Sequence, residues 1–308
     1  MSERFDFHSH TTVSDGSLSP TELVRRAEKN GVSGFALTDH DAVDGIAEAR
    51  AEGERLGIEV LGGIELSVNE AEGTRAMHIL GLGIDDAHAE LRARLVELRH
   101  GRIGRAARIV SHLQAAGVAI TLAAVEAQAA AGASLGRPHV ARALVAAGAV
   151  RDSDEAFARW LRRGRPAYEP NPELSAQAAI ALVHAAGGVA VLAHPPLSAG
   201  IDAPGGVAAF IERLVPFGLD GIEVWHPSHK STVTRRLRRI AAAHGLLETG
   251  GSDFHGDDRP DVELGRGRGG KLRIGRDVRD AFEARWRARR EALGLTHSPT
   301  GSNLGRPV

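Results

Sequence analysis

The chain has no cysteine among its 308 residues, which removes disulfides, thiolate metal ligands and a cysteine nucleophile together. Any metal it binds must therefore sit on nitrogen and oxygen. Net charge is also missing: 38 lysines and arginines against 39 acids leave a formal charge of -1, so no global field draws the protein to nucleic acid or to an anionic membrane. Arginine is dense only locally, in "RRLRRI" (235–240) and "RWRARRE" (285–291), at spacings that coat the solvated side of a helix. The opening "MSERFDFHSH" carries no apolar h-region, and no uninterrupted apolar run reaches the ~18 residues that a membrane span needs. These absences point to a cytoplasmic protein without membrane contact. The longest candidate run, "AAIALVHAAGGVAVLAHPP" (178–196), breaks at Gly187 and Gly188 into a helical half and a strand-like half.

What is present is enough for a substantial core: 43% of the residues are hydrophobic, which suits one large domain or a domain carrying an insertion. Short β-like runs alternate with amphipathic helices. After "FDFHSH", the stretch "SLSPTELVRRAEKNG" offers Ser19 as N-cap, Pro20 at the first helical position, Glu22 to complete the capping box and Gly31 as the stop. "GFALTDH" (34–40) follows as a strand and "DGIAEARAEGERLG" (44–57) as a helix ending in glycine. Further strand-like runs are "IEVLGGIELSV" (58–68), "MHILGLG" (77–83), "GGVAVLAHP" (187–195), "LDGIEVWHP" (219–227) and "LLETGGSDFHG" (246–256). This alternation predicts an α/β fold on a mostly parallel sheet, open or closed into a barrel.

The middle differs. From about Asp86 to Ala186 only helical patterns occur, with starts at Pro138 and near Ser153. They predict a helical subdomain over 100–186, beginning inside a long helix near His100, with the turn "EPNPEL" toward its end, inserted between barrel halves 1–99 and 187–292. The tail 293–308 has lost periodicity and is expected to be disordered. Two further stretches, 197–206 and 257–275, are long enough to be lids or disordered loops.

In parallel α/β architectures ligands bind at the carboxyl ends of the strands. Here nearly every strand-like run carries histidine or carboxylate near its end: His8 and His10, Asp39 and His40, Glu65, His78, His194, then Asp253 with His255. A strand puts residues two apart on one face, so the H-x-H pair can chelate a single metal. Each residue alone has a plain structural explanation, Asp15 beside Gly16 as a turn former for instance. The set does not, because buried unpaired imidazoles and carboxylates are costly.

The motifs "DFHSHTTVSDGSLSP", "ALTDHDAVDG", "GIELS", "HILGLGID", "LAHP", "GIEV" and "GSDFHG", in this order, resemble those of the PHP (polymerase and histidinol phosphatase) family of metal-dependent phosphoesterases. The resemblance covers 5–85 and about 187–256, and more weakly "GRPHVARALVAAGAV" (136–150). It implies a distorted (β/α)7 barrel of the PHP type with an inserted small helical subdomain covering the active site. It also implies two or three divalent metal ions held by His8, His10, Asp15, His40, Glu65, His78, His194, Asp253 and His255. By resemblance one ion takes His8, His10, Glu65 and Asp253, a second Glu65, His78 and His194, and a third Asp15, His40 and His255. Asp6 and Asp39 are expected to orient histidines through their remaining ring nitrogens. Manganese is the leading expectation, with iron or zinc as alternatives, since nitrogen and oxygen ligands do not choose among them.

Such ions neutralise phosphate oxygens and lower the pKa of a bridging water, which supplies hydroxide without a protein nucleophile. His226 and His229 are candidates for the acid that assists the leaving alkoxide, or for substrate contacts. Arg137, just before a helix starting at Pro138, suits a second anion, and His139 either helps it or caps the helix. A helical insertion with an "RPH" motif resembles the 3',5'-nucleoside bisphosphate phosphatases and 5'-3' oligoribonucleotide exonucleases of the family. The expected reaction is removal of the 3'-phosphate from a 3',5'-bisphosphate such as adenosine 3',5'-bisphosphate. Exonuclease action on short RNA, histidinol-phosphate hydrolysis, a proofreading module and amide hydrolysis are the enzymatic alternatives. A phosphate-binding regulatory module without turnover is the other, although none of its nine ligand positions is eroded. The expected partner is a small nucleotide or short RNA substrate, with no stable nucleic-acid complex, no membrane and no obligate protein partner.

Overall fold

The structure, a computed structural model, describes residues 3–68, 77–170, 174–199, 206–257 and 259–295. Residues 296–308 of the expected tail, 200–205 of the stretch after His194, and residue 258 lie outside the described residues. Seven strands form one sheet in chain order: β1 Phe5–Asp6, β2 Gly34–Leu37, β3 Glu59–Val68, β4 Met77–Leu82, β5 Val189–Leu192, β6 Gly221–Trp225 and β7 Leu247–Gly250. Backbone bonds join the two ends. Phe7 N donates to Gly250 O at 3.1 Å, Asp253 N to His8 O at 3.0 Å and His10 N to Phe254 O at 2.8 Å, so the sheet curls into a nearly closed barrel.

The sheet is parallel except at β4, which runs antiparallel to both β3 and β5. This departs from uniform strand-helix alternation. The chain returns from β3 to β4 across residues 69–76 alone, too few for the crossover that parallel neighbours require. His78 is therefore at the beginning of its strand, not at the carboxyl end, and reaches the common rim because that strand is reversed.

Helices α1 (Pro20–Asn30) and α2 (Ile46–Leu56) pack outside β1–β3. Helix α1 starts as its sequence dictates: Ser19 and Glu22 form the capping box, Pro20 opens the first turn, and Gly31 ends it at φ 67°. Helix α3 (Ala89–Ala115) leads away from the barrel. Its Leu91, Leu95 and Leu98 join the barrel's outer core, whereas Ile109, Val110 and Leu113 build a separate cluster. That cluster also takes in residues of α4 (Leu122–Glu126), α5 (Arg137–Ala146) and α6 (Ser153–Ala156, continued by a π turn Phe157–Leu161). Helix α7 (Ala176–Ala185), grouped by its sequence with the insertion, sends Ala176, Ala179, Ile180 and Val183 into the barrel core instead.

The return half adds α8 (Pro195–Ala199), α9 (Gly206–Leu214) and α10 (Ser231–His244), followed by a small ribbon of β8 (Val262–Glu263) and β9 (Gly267–Arg268). Helix α11 (Arg276–Ala292) closes the other end: Val278, Phe282 and Trp286 pack on Phe5, Phe7, Leu61, Leu82 and Val189. Trp286 Nε1 donates to Gly83 O at 2.8 Å. The arginines of α10 are solvated as their spacing predicts, but Arg290 of α11 is buried over the Trp286 ring.

Candidate metal centre

At the rim, regular strand gives way to irregular backbone just where the polar residues begin. Strand β2 stops at Leu37 and β7 at Gly250, leaving His40 and Asp253 on loops. Among the described residues three non-glycine residues have positive φ, Asp41 (48°), His194 (30°) and Asp253 (51°), and all three belong to this rim. Backbone held in so sparsely populated a region marks a site where geometry outranks local preference. Gly251 permits the closest approach: a Cβ there would fall 2.2 Å from the Cβ of His8.

Glu65 lies at the middle. Strand β3 alternates, with Ile64 and Leu66 in the outer core and Glu65 inside. His78 Nδ1 stands 2.8 Å from Glu65 Oε1 and His194 Nε2 3.1 Å from the same oxygen. Around Oε2 are His40 Nδ1 at 3.1 Å, His10 Nε2 at 3.2 Å and His8 Nε2 at 3.3 Å. Asp253 Oδ1 is 3.5 Å from His8 Nε2 and 3.3 Å from His10 Nε2, and Asp15 Oδ1 is 3.3 Å from His255 Nε2. All nine expected residues thus converge from six strands or their following loops.

The donor set fits divalent ions on an observation of its own. His10 Nδ1, His40 Nδ1, His78 Nδ1, His194 Nδ1 and Glu65 Oε2 are buried without a hydrogen-bond partner, and the Nε2 atoms of His8 and His10 face one another at 3.1 Å. Lone pairs turned on each other in a dry site are costly until a cation lies among them. Ligand atoms within 4.8 Å of one another form three overlapping groups: His8, His10, Glu65, Asp253; His10, Asp15, His40, His255; and His40, Glu65, His78. The first matches the set implied by the resemblance. In the others His10 and His40 are shared, and His194 stands beside the last group through its contact with Glu65.

Two expectations need correction. Among the described residues Asp6 bonds no imidazole: its carboxylate accepts from the backbone N–H of His8, Ser252 and Gly265. The chain pairs as a strand only over Phe5–Asp6 and bends at Phe7, so the two-residue alternation does not carry from Asp6 to His8. Asp39 accepts from Thr11 N (2.7 Å), Thr11 Oγ1 (2.6 Å) and Ser14 Oγ (2.6 Å), and thereby holds the loop that carries Asp15 rather than a ring. The residue that does orient imidazoles is Glu223 on β6. His8 Nδ1 donates to its Oε1 at 3.0 Å, and the backbone N–H of His194 to Oε2 at 2.7 Å, which leaves His8 Nε2 as a lone pair aimed inward. A carboxylate inside the apolar run "GIEVW" was the available signal. Glu223→Gln is expected to weaken divalent-ion affinity about tenfold while the fold persists, checked by metal titration beside circular dichroism.

Without ions, two of the ligand histidines, His8 and His10, hold their protons more tightly than a free imidazole. Burial opposes protonation of His10, yet Asp253 and Glu65 outweigh it and push its pKa up to about 10. His8 is raised well above its usual value against the same desolvation, by Glu223, Glu65 and Asp253. A folded-state pKa above the unfolded value of 6.5 gives stability that is complete below pH 6.5 and lost as pH climbs through about 10. The metal-free protein should therefore melt at falling temperature across that window, while the loaded protein, whose ions replace those protons, stays level. Thermal scans with and without chelator test this, and a gap that does not widen with pH counts against it.

His226 and His229 follow β6. His226 Nδ1 accepts from Ser228 N at 3.2 Å, so Nε2 carries the proton, 3.5 Å from Asp253 Oδ2. His229 donates from Nδ1 to Val224 O at 3.0 Å, and burial lowers its pKa to about 4. It is a neutral ring with an accepting Nε2, so of the pair only His226 has the geometry of a donor.

Across the rim the helical unit leans on β1–β3. Arg102 binds the Asp41 carboxylate, Ser67 Oγ at 2.7 Å and Leu135 O at 3.0 Å, and Ser134 N donates to Val13 O at 3.0 Å. Arg142 reaches Asp15 O at 3.2 Å. Arg137 opens α5, bonds Leu161 O at 3.3 Å and lies near the rings of Phe157 and Tyr168. His139 Nδ1 accepts from Gly136 N at 3.0 Å, the capping role, and burial lowers its pKa to about 4. Among the described residues Arg105 bonds only Glu169 O, and burial together with Arg137 and Arg102 lowers its pKa to about 9. Sequence reading missed Arg102 and Arg105. The signal was that they occupy stripe positions of α3, between Leu98 and Ile109, where apolar residues belong.

The chain is similar to known proteins over most of its length. A sequence profile described as PHP domain matches residues 6–131. A 3',5'-nucleoside bisphosphate phosphatase of Chromobacterium violaceum is 39% identical over 254 residues, covering 81% of this chain and 86% of that protein. A 5'-3' exoribonuclease of Haemophilus influenzae is 39% identical over 255 residues, covering 83% and 91%. Among solved structures, one from Bifidobacterium adolescentis described as a metal-dependent phosphoesterase superposes with a TM-score of 0.81 at 34% identity, covering 92% of this chain and 96% of that one.

Proposed function

Because the chain belongs to the PHP family and is a metal-dependent phosphoesterase, we propose that its substrate is a nucleotide and that it removes the 3'-phosphate of a 3',5'-nucleoside bisphosphate such as adenosine 3',5'-bisphosphate. One observation carries the choice of a second phosphate. Arg105 is buried and Arg137 half-buried, the charge of Arg137 helps to lower the Arg105 pKa, and neither has a carboxylate at ion-pair distance among the described residues. Two desolvated guanidiniums satisfied only by carbonyl oxygens are a standing demand for an anion. They lie by the amino end of α5, and Arg142 of that helix reaches Asp15 of the metal centre. A bisphosphate offers one phosphate to each place.

In this reading His8, His10, Asp15, His40, Glu65, His78, His194, Asp253 and His255 hold two or three divalent ions, manganese first among them. When bound, such ions neutralise phosphoryl oxygens and bring the pKa of water near neutrality. The remaining roles belong to the chain. Glu223 keeps His8 in the tautomer that faces the centre, and Arg137 with Arg105 fixes the far phosphate so that the scissile one arrives in register. His226 presents Nε2–H beside Asp253, within reach of a departing oxygen, and His229 offers an acceptor to the sugar. Phosphate release from adenosine 3',5'-bisphosphate, histidinol phosphate and a short 5'-phosphorylated RNA, with manganese-loaded and metal-stripped protein, tests the reading. Metal-dependent turnover of the nucleotides above histidinol phosphate is expected, and intact nucleotides in the loaded protein would overturn it. Among the described residues no helix is long and apolar enough to cross a membrane.

A further inference from the structure

Two arginines tie the helical unit to one part of the metal centre. Arg142, half-buried on α5, donates from Nη1 to Asp15 O at 3.2 Å and from Nη2 to Gln128 O at 3.3 Å. Two residues before Asp15, Val13 O accepts from Ser134 N at 3.0 Å. Leu135, which follows Ser134, accepts at its carbonyl from Arg102 Nη1 at 3.0 Å, and the same guanidinium holds Asp41, the neighbour of His40. Asp15 and His40 belong to one group of ligands, together with His10 and His255. His8 and Asp253, by contrast, follow β1 and β7, with Glu223 of β6 behind the His8 ring.

The group braced in this way is the least self-sufficient of the three. His10 and His40 are shared with the neighbouring groups, so only Asp15 and His255 are its own, and Asp15 is its one carboxylate. Asp15 Oδ1 is 3.3 Å from His255 Nε2 but 4.0 Å from His10 Nδ1, and Oδ2 is 3.8 Å from His40 Nε2, whereas Glu65 gathers five ring nitrogens within 3.3 Å. Ser14 Oγ stands 3.5 Å from the Asp15 carboxylate and is bound more closely to Asp39, at 2.6 Å. With so little on the side chain itself, the place of Asp15 is set through the backbone of 11–16. Asp39 holds that loop from the barrel side, at Thr11 and Ser14, and the helical unit holds it from the other, at the carbonyls of Val13 and Asp15.

Resting on the ion assignment and the nucleotide reading above, we infer that Arg142 is a positioning residue for the ion of the Asp15 group, and that α5 couples this ion to the anion held at the start of the helix. Arg137 opens α5 and Arg142 comes five residues later, about 7.5 Å along one rigid element. A phosphate on Arg137 that draws the start of α5 to the barrel also seats Arg142 on the Asp15 carbonyl. An ion that fixes Asp15 gives α5 its anchor in return. Such coupling is reciprocal, so each ligand tightens the other by the same factor. The helical unit then does more than cover the site: it completes the one ligand group that the barrel leaves loosely held.

The test titrates metal-stripped protein with manganese and follows the free-ion signal by electron paramagnetic resonance. Wild type, Asp15→Asn, Arg142→Met and Arg142→Lys are compared, each with and without AMP, which carries a 5'-phosphate and no 3'-phosphate. The step that Asp15→Asn abolishes identifies the ion of that group. Arg142→Met is expected to weaken this step about tenfold and to leave the tighter steps unchanged, and Arg142→Lys to recover part of the loss. AMP is expected to tighten the same step about fivefold in the wild type and not in Arg142→Met. An Arg142→Met protein that titrates as the wild type overturns the inference, and so does an equal loss at every step, the mark of general damage to the fold. AMP that tightens the step equally in both proteins is a ligand of the ion itself and overturns the coupling. An Asp15→Asn protein that titrates as the wild type shows that the ion assignment has failed and takes the inference with it. If equilibrium dialysis finds no AMP on the loaded wild type, the nucleotide reading has failed and the coupling falls, while the effect of Arg142 on the ion is still decided by the titrations without nucleotide.

Discussion

Glu65→Gln protein is expected to lose bound metal and to hydrolyse phosphate esters about a thousandfold more slowly than the wild type, the largest effect of any single substitution considered. The change keeps shape and removes one charge. That charge is approached by ring nitrogens of His8, His10, His40, His78 and His194, all within 3.3 Å. Burial alone would raise the Glu65 pKa, yet His40, His78 and His8 hold it well below the usual carboxylate range, so it is an anion whenever the site functions. An amide cannot serve two positive centres at once, and the loss of about 4 kcal/mol of transition-state stabilisation corresponds to the thousandfold change. Metal content by elemental analysis and phosphate release by stopped assay check it together. A Glu65→Gln protein that retains its full metal complement and works within tenfold of the wild type would remove Glu65 from the middle of the centre.

For Arg137→Ala the loss is expected to be selective: about 100-fold in kcat/KM for adenosine 3',5'-bisphosphate, and little for p-nitrophenyl phosphate, which has no second anion. The size follows from the roughly 1.5–3 kcal/mol that a hydrogen bond to a charged group contributes when its partner is deleted. Arg137 makes only one protein hydrogen bond among the described residues, to Leu161 O, so most of its donors are available to a ligand. Removing the side chain also strips packing from Phe157 and Tyr168, which would harm both substrates alike. Arg137→Lys separates the two effects: it keeps charge and bulk but loses the planar fork, and should recover part of the bisphosphate activity. Parallel losses on both substrates would instead make Arg137 a structural residue of the helical unit.

Much of the centre was legible because its elements are local. The spacing of His8 and His10, the pair Asp253 and His255, and Glu65 alternating against Ile64 and Leu66 each need only one segment to be read. The capping box at Ser19 and the stops at Gly31 and Gly57 are equally short-range, and they appear in the structure where the residues put them. Absence of cysteine was decisive by itself, since it confined any metal to nitrogen and oxygen.

What the sequence left open depends on which segments meet. Asp6 and Asp39 look like partners for imidazoles because they neighbour histidines along the chain, but a bend at Phe7 and a loop at Thr11 gave them backbone amides instead. The ring of His8 is oriented from 215 positions away by Glu223, across a sheet whose closure no local pattern states. Strand β4 brings His78 to the rim only because it is reversed between β3 and β5. Arg102 and Arg105 gain meaning from burial, which turns two ordinary helical arginines into a clasp on Asp41 and, in the proposed reading, a site for an anion. Side-chain chemistry and capping act over a few residues and are written in the sequence, whereas desolvation and long-range pairing act on whatever folding brings together, and only the tertiary structure decides them.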